Sequence, residues 1–238
     1  MSNFHGHNTH RQPRTSGRVN PARTARVGGD RRMAPRARSR GQTNVLRVFM
    51  PPETWHEPRE NASGYKFVVE SAGPGYRHVV TPDEVRARLA LLPPSFTAGL
   101  QVVQLGRMTR KKRSMPLYGM QWGSAIYLYP IEESLVEHYN HPPTPAQRTE
   151  AKMYGGRWED AGGGKWRLVW TLEAVKDFYL NNILLHELGH LLDTRNTRTI
   201  DRERYAEWFA VEYGYRPTQR ERQARRIASL STSEGRSA

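Results

Sequence analysis

The chain has 238 residues, a formal net charge of +14, 37% hydrophobic residues and a mean hydropathy of −0.79. It is long enough for one domain of ordinary size but too polar to be globular throughout, so a domain with tails is expected. The absence of cysteine excludes disulfides, thiolate nucleophiles and thiolate-bound zinc, and leaves histidines and carboxylates as metal ligands.

The charge is unevenly spread. Residues 1–40 hold ten arginines, no lysine and one acid, Asp30, so +9 of the +14 sits there. Segment 1–43 has almost no aliphatic periodicity and reads as a disordered Arg-rich tail. One reading of it is an electrostatic arm making weak nucleic-acid contact; the other is a solubilising tail, since it carries one aromatic, Phe4, and no stacking pattern. Residues 44–215 are expected to form the folded domain and residues 216–238 a basic C-terminal helix or tail. No apolar segment follows the basic N-terminus, so no secretory signal is expected. No run approaches the roughly 18 apolar residues of a membrane span. A soluble, cytoplasmic protein with no membrane contact is the expectation, and the lack of cysteine fits a reducing compartment.

In chain order, Val45–Met50 reads as a strand. Tyr65–Glu70 and Tyr76–Val80 flank Gly73-Pro74-Gly75 and suggest a hairpin. Thr81-Pro82-Asp83-Glu84 opens a helix running to about Leu92, with Thr81 as its cap. Leu100–Leu105 and Ser124–Tyr129 read as strands, with a basic loop at Arg110-Lys111-Lys112-Arg113. Ile131–Tyr139 is expected to be helical. Trp166–Trp170 reads as a strand behind the turn Gly162-Gly163-Gly164. A long helix is expected from about Leu172 to Asp193, and another from about Thr199 to Tyr213. The sum is an α+β fold.

The chemistry concentrates in His186-Glu187-Leu188-Gly189-His190. Two histidines four apart on a helix share one face, where both imidazoles can grip one Zn²⁺ at about 2.0–2.1 Å. Glu187, next to the first, is placed to act as general base on a water at the ion. The flanking helix is apolar, and two histidines and a carboxylate set in it are costly without a metal or a partner.

A catalytic zinc takes a third protein ligand. The third and sixth positions beyond His190 are Asp193 and Asn196, which excludes the HExxHxxGxxH pattern. Glu203 and Glu207 share a face of the next helix. If that helix returns antiparallel, the level of His190 favours Glu207, with Glu203 as the alternative; the other glutamate would orient a histidine or anchor an arginine. Asp193 is a further candidate beside the site, or a helix-end residue paired to an arginine.

His186-Glu187-Leu188-Gly189-His190-Leu191-Leu192-Asp193 with Ala206-Glu207-Trp208-Phe209-Ala210 resembles the gluzincin zinc metallopeptidases, and is similar to the motif pairing of the anthrax lethal factor and Mlc titration factor peptidase families. The resemblance spans about Tyr179 to Tyr213 and implies Glu207 as third ligand. Glu203-Arg204-Tyr205-Ala206-Glu207-Trp208-Phe209-Ala210 also resembles the ExxADxFA segment of CAAX-type peptidases, which implies Glu203. The implied fold is zincin-like: a small twisted sheet packed on the HExxH helix and the following glutamate-bearing helix. The implied activity is hydrolysis of a protein or peptide substrate, in one version a single specific partner.

An edge strand is expected to bind extended substrate, with Ser124–Tyr129 as the candidate. Tyr179 and Tyr213 are the leading oxyanion-stabilising candidates, followed by Tyr215, His138 and His141. Trp158, Trp166 and Trp170 read as hairpin or core packing. The alternative function is a basic nucleic-acid-associated protein with a structural or regulatory zinc site, which would need no base at Glu187.

Overall fold

Residues 53–60, 63–114 and 117–234 are described by a computed structural model. The Arg-rich segment 1–43 and the expected strand Val45–Met50 lie outside them. β1 (Lys66–Val69) and β2 (Tyr76–Arg77) flank the Gly73-Pro74-Gly75 turn but do not form the expected hairpin. β1 instead pairs in parallel with Val102–Leu105, and β2 pairs antiparallel with Ile131–Glu132. Gly73 and Gly75 do turn the chain at φ 99° and 75°. A parallel partner, however, can be reached only through a long crossover.

That crossover is α1 (Pro82–Ala90) and the short α2 (Pro94–Thr97). The Thr81 hydroxyl accepts from the Glu84 amide (3.2 Å) and the Glu84 carboxylate accepts from the Thr81 amide (2.8 Å). This reciprocal cap satisfies two otherwise orphaned donors. Val85 and Leu89 bury the inner face. β3 (Val102–Leu105) follows. The expected basic loop is a helical turn, α3 (Arg110–Ser114), whose Lys112 pairs with Glu53 at 2.5 Å and lies over the Tyr129 ring.

β4 (Gly119–Trp122) and β5 (Ala125–Leu128) form a hairpin around Gly123-Ser124, with Gly123 at φ 59°. The sheet order is β1-β3-β5-β4, parallel except for β4 at the edge. Strand alternation splits its residues between two faces. Val103, Leu105, Ile126 and Leu128 join the main core beneath the helices, whereas Val102, Ala125, Tyr127 and Tyr129 form a second cluster. Segment 53–60 ties to that second face through Tyr127 Oη to the Thr54 carbonyl (2.7 Å), Tyr129 Oη to Glu53 (3.1 Å) and His56 to Gln104 (2.7 Å).

The expected helix over Ile131–Tyr139 is two strands, β6 (Ile131–Glu132) and β7 (Val136–Tyr139), joined through Leu135 at φ 60°. Val136, His138 and Tyr139 find cross-strand partners in β9, and this pairing overrides local helix preference. α4 (Pro145–Met153), capped by Thr144 and Gln147, leads into β8 (Arg157–Gly162) and β9 (Lys165–Val169). With β7 these make an antiparallel sheet in the order β7-β9-β8.

The long helix is continuous from α5 (Leu172–Phe178) through a π-helical turn, Tyr179–Ile183, into α6 (Leu184–Leu192). α7 (Thr199–Ala210) passes through a second π-helical turn, Val211–Tyr215, into the basic helix α8 (Arg216–Glu234). The two π turns abut: an added Cβ at Gly214 would lie 1.9 Å from the Asn181 carbonyl oxygen. Arg88 braces them, donating to Asn181 Oδ1 (2.6 Å) and to the Tyr213 carbonyl (2.5 Å). α6 packs on α7 and against β4 and β5. Among the described residues no helix is long and apolar enough to cross a membrane.

Candidate active site

Leu184, Leu185 and Leu188 are fully buried and lock α6 to the core. Their opposite face carries His186 and His190 into a cleft of about 620 Å³. The two Nε2 atoms stand 3.1 Å apart, and Glu203 Oε2 lies 3.4 Å from His186 Nε2 and 3.5 Å from His190 Nε2. Three donors at the corners of a tetrahedron with bonds of about 2.0–2.1 Å would be separated by about 3.4 Å. The observed triangle fits a Zn²⁺ of that coordination, and its donor set of two imidazoles and a carboxylate suits zinc chemically. Burial lowers the pKa of both histidines. At His186 the His190 charge reinforces this and Glu203 opposes it; at His190, Glu203 opposes and Arg202 reinforces.

The structure thus brings Glu203, not the favoured Glu207, to the histidines. The deciding contact is Gly189 on Ala206, where an added Cβ would lie 2.9 Å from the Ala206 Cα. This close approach sets the relative level and rotation of α6 and α7, which an assumed antiparallel return could not supply. Glu207 is exposed and lies near Glu150, whose carboxyl feels its charge.

Glu187 is buried beside the triangle. Burial pushes its pKa up to about 8, opposed by a hydrogen bond from the Gln121 backbone amide and reinforced by the Glu203 charge. Gly119 makes the room: a Cβ there would lie 2.7 Å from Ile183 Cγ2 and 3.0 Å from Glu187 Cγ and Oε1. β4 lines the cleft with Gly119, Met120, Gln121 and Trp122. The strand beside the site is therefore β4. The favoured Ser124–Tyr129 strand lies inside the sheet, hydrogen-bonded on both sides by β3 and β4. The signal for β4 was present in the two-residue Gly-Ser turn between two strands.

Tyr179 does not reach the cleft; its hydroxyl donates to the Tyr129 carbonyl in the core (2.6 Å). Seven residues before His186 would share its face on an α-helix, but the intervening π turn takes an extra residue and rotates Tyr179 away. Tyr213 packs on Phe96 and Phe209, and Tyr215 on Tyr154. His138 and His141 line other cavities. Asp193 fixes the loop after α6, accepting from the amides of Arg195 and Asn196 and from Asn196 Nδ2. Among the described residues, Arg202 is the cation that lines the cleft, and it also donates to the His190 carbonyl at 3.2 Å. Trp170 stacks on Phe178, Trp158 packs on Tyr139, and Arg148 lies over Trp166.

Two further carboxylates lie near Tyr118, which precedes β4. Glu137 is buried, with Oε1 accepting from Tyr118 Oη (3.0 Å) and Trp170 Nε1 (2.9 Å); burial raises its pKa to about 7 against those two bonds. Glu150 reaches solvent, yet its Oε1 accepts from Asn182 Nδ2 at 2.7 Å. Burial of its carboxyl raises its pKa, Asn182 opposes and Glu207 reinforces. No local motif marks either residue. No protein-family model matches the chain, and neither a curated protein nor a solved structure matches it significantly.

Proposed function

We propose that this protein is a zinc metallopeptidase of zincin-like build, with His186, His190 and Glu203 holding the ion and Glu187 acting as general base. The observation that carries the reading is the donor triangle of 3.1, 3.4 and 3.5 Å beside a buried carboxylate. When bound, zinc supplies Lewis-acid activation of water and of the scissile carbonyl. Glu187 takes one proton from the attacking water as its oxygen joins the carbonyl carbon. It then delivers that proton to the amide nitrogen as the C–N bond breaks, and the proton left on the new carboxylic acid passes to the departing amine, giving a carboxylate and an ammonium. The outer edge of β4 offers main-chain groups to an extended peptide, and Gly119 keeps the approach to Glu187 open. Arg202 places positive charge in the cleft where negative charge develops on the carbonyl oxygen. A structural or regulatory zinc would need no carboxylate at Glu187.

The test is metal analysis and peptide hydrolysis on the same preparations. Wild type and Glu187→Gln are expected to hold one zinc per chain, with hydrolysis kept in wild type and lost in Glu187→Gln. Glu203→Ala is expected to lose the metal and Glu207→Ala to keep it. A wild type that takes up no zinc overturns the reading.

A further inference from the structure

The main cleft does not end at Glu187. A pocket of about 180 Å³ shares Gly119, His186 and Glu187 with it, and is also lined by Tyr118, Asn182 and Glu150. That pocket in turn shares Tyr118 and Glu150 with a neighbouring cavity of about 230 Å³. The walls of this second cavity are aromatic: Tyr139 and Trp158 at 4.7 Å, and Trp170 stacked on Phe178 at 5.0 Å. No lysine or arginine is among the described residues lining either space. In a chain of net charge +14, this is a space beside the candidate catalytic cleft in which the Glu150 carboxylate has no basic side chain opposite it among the described lining residues.

We propose that these two cavities form a side-chain subsite for a lysine or arginine of the substrate, next to the scissile bond. The inference rests on the peptidase reading for what the subsite serves. A long cationic side chain entering past Gly119 would lay its apolar stem along Tyr118 and the aromatic walls. Its charged head would reach the Glu150 carboxylate, with ring faces nearby for cation–π contact. Asn182 Nδ2 already holds one Glu150 oxygen at 2.7 Å, which fixes the acceptor and leaves the other oxygen for the ligand. The Glu207 charge also acts on the Glu150 carboxyl. An acidic side chain would meet uncompensated repulsion there, and a short apolar one would leave the carboxylate without its partner.

The experiment has two arms, run on wild type, Glu150→Gln and Glu150→Lys with matched thermal melts. In the first, a mixed peptide library is digested and the cut sites are read by mass spectrometry. Lysine and arginine are expected to be enriched at one position flanking the cut. Losing the charge-assisted contact should lower the arginine-to-leucine preference at that position by at least about tenfold in Glu150→Gln. Glu150→Lys should turn the preference toward acidic residues. In the second, calorimetry compares N-acetyl-arginine amide with N-acetyl-leucine amide, independently of hydrolysis. The arginine amide is expected to bind wild type in preference, and at least about tenfold more weakly to Glu150→Gln. Cleavage without basic preference overturns the proposal, as does a preference that Glu150→Gln leaves unmoved. Binding through Glu150 without any hydrolysis leaves the subsite standing and overturns the peptidase reading. Neither hydrolysis nor preferential binding overturns both.

Discussion

Gly189 sits so close to Ala206 that a side chain at 189 would place its Cβ 2.9 Å from the Ala206 Cα and 3.1 Å from the Phe209 Cβ. This contact couples the helix of the two histidines to the helix of Glu203. In a free helix, alanine would be favoured over glycine by about 1 kcal/mol. Here the backbone of α7 must move instead. Gly189→Ala is therefore expected to destabilise the fold by about 1–3 kcal/mol and to weaken zinc uptake, because the Glu203 carboxylate shifts with its helix. Thermal melts and a competitive zinc titration check both. A variant that is more stable and binds zinc normally would show that the helices are not held at this spacing.

Gly119→Ala addresses the cleft rather than the ligands. The new methyl would press on Ile183 and on Glu187 itself. Zinc content is expected to stay at wild-type level while hydrolysis falls by about a hundredfold or more, since a positioned general base contributes roughly 10²–10⁴-fold. Equal loss of zinc and activity would mean that the change acts on α6 as a whole.

The second close approach of the site helices lies at the paired π turns. A Cβ on Gly214 would overlap the Asn181 carbonyl at 1.9 Å, a backbone atom that cannot rotate away. Gly214→Ala is expected to cost about 3 kcal/mol or more. Urea unfolding measures it, and a cost below about 1 kcal/mol would rule out the observed pairing of the turns.

Glu137 makes a pH prediction. Its folded pKa of about 7 lies above the ordinary 4.5, so the folded state binds a proton more tightly than the unfolded state. This contribution is fully present below about pH 4.5, is lost as pH rises through about 7, and then levels off. The loss corresponds to about 3 kcal/mol. In Glu137→Gln the amide oxygen can still accept from Tyr118 and Trp170, which both donate to Oε1. The variant is expected to melt higher than wild type at pH 8, with the difference fading toward pH 5. Parallel melting curves across that range would sink the assignment.

What could be read along the chain was local. His186 and His190 four apart, Glu187 between them, the Thr81 cap and the glycine turn at 162–164 each depend on residues within a turn or two, so helix and turn geometry decide them. Their placement as an α+β arrangement followed the same patterns. The errors arose wherever a distant partner decided. β1 and β7 took partners from β3 and β9, dissolving an expected hairpin and an expected helix. One π turn rotated Tyr179 away from the cleft, Glu137 met Tyr118 and Trp170 only across the fold, and Glu150 came to line a cavity only where α4, β8 and β9 meet. The sequence by itself determined that a histidine pair with an adjacent carboxylate exists on one helix, because four-residue spacing is a property of that helix alone. The choice of Glu203 over Glu207 beside the pair belonged to the tertiary structure. Helix level and rotation are set by side-chain contact across the interface, here Gly189 on Ala206, and no spacing along the chain encodes them.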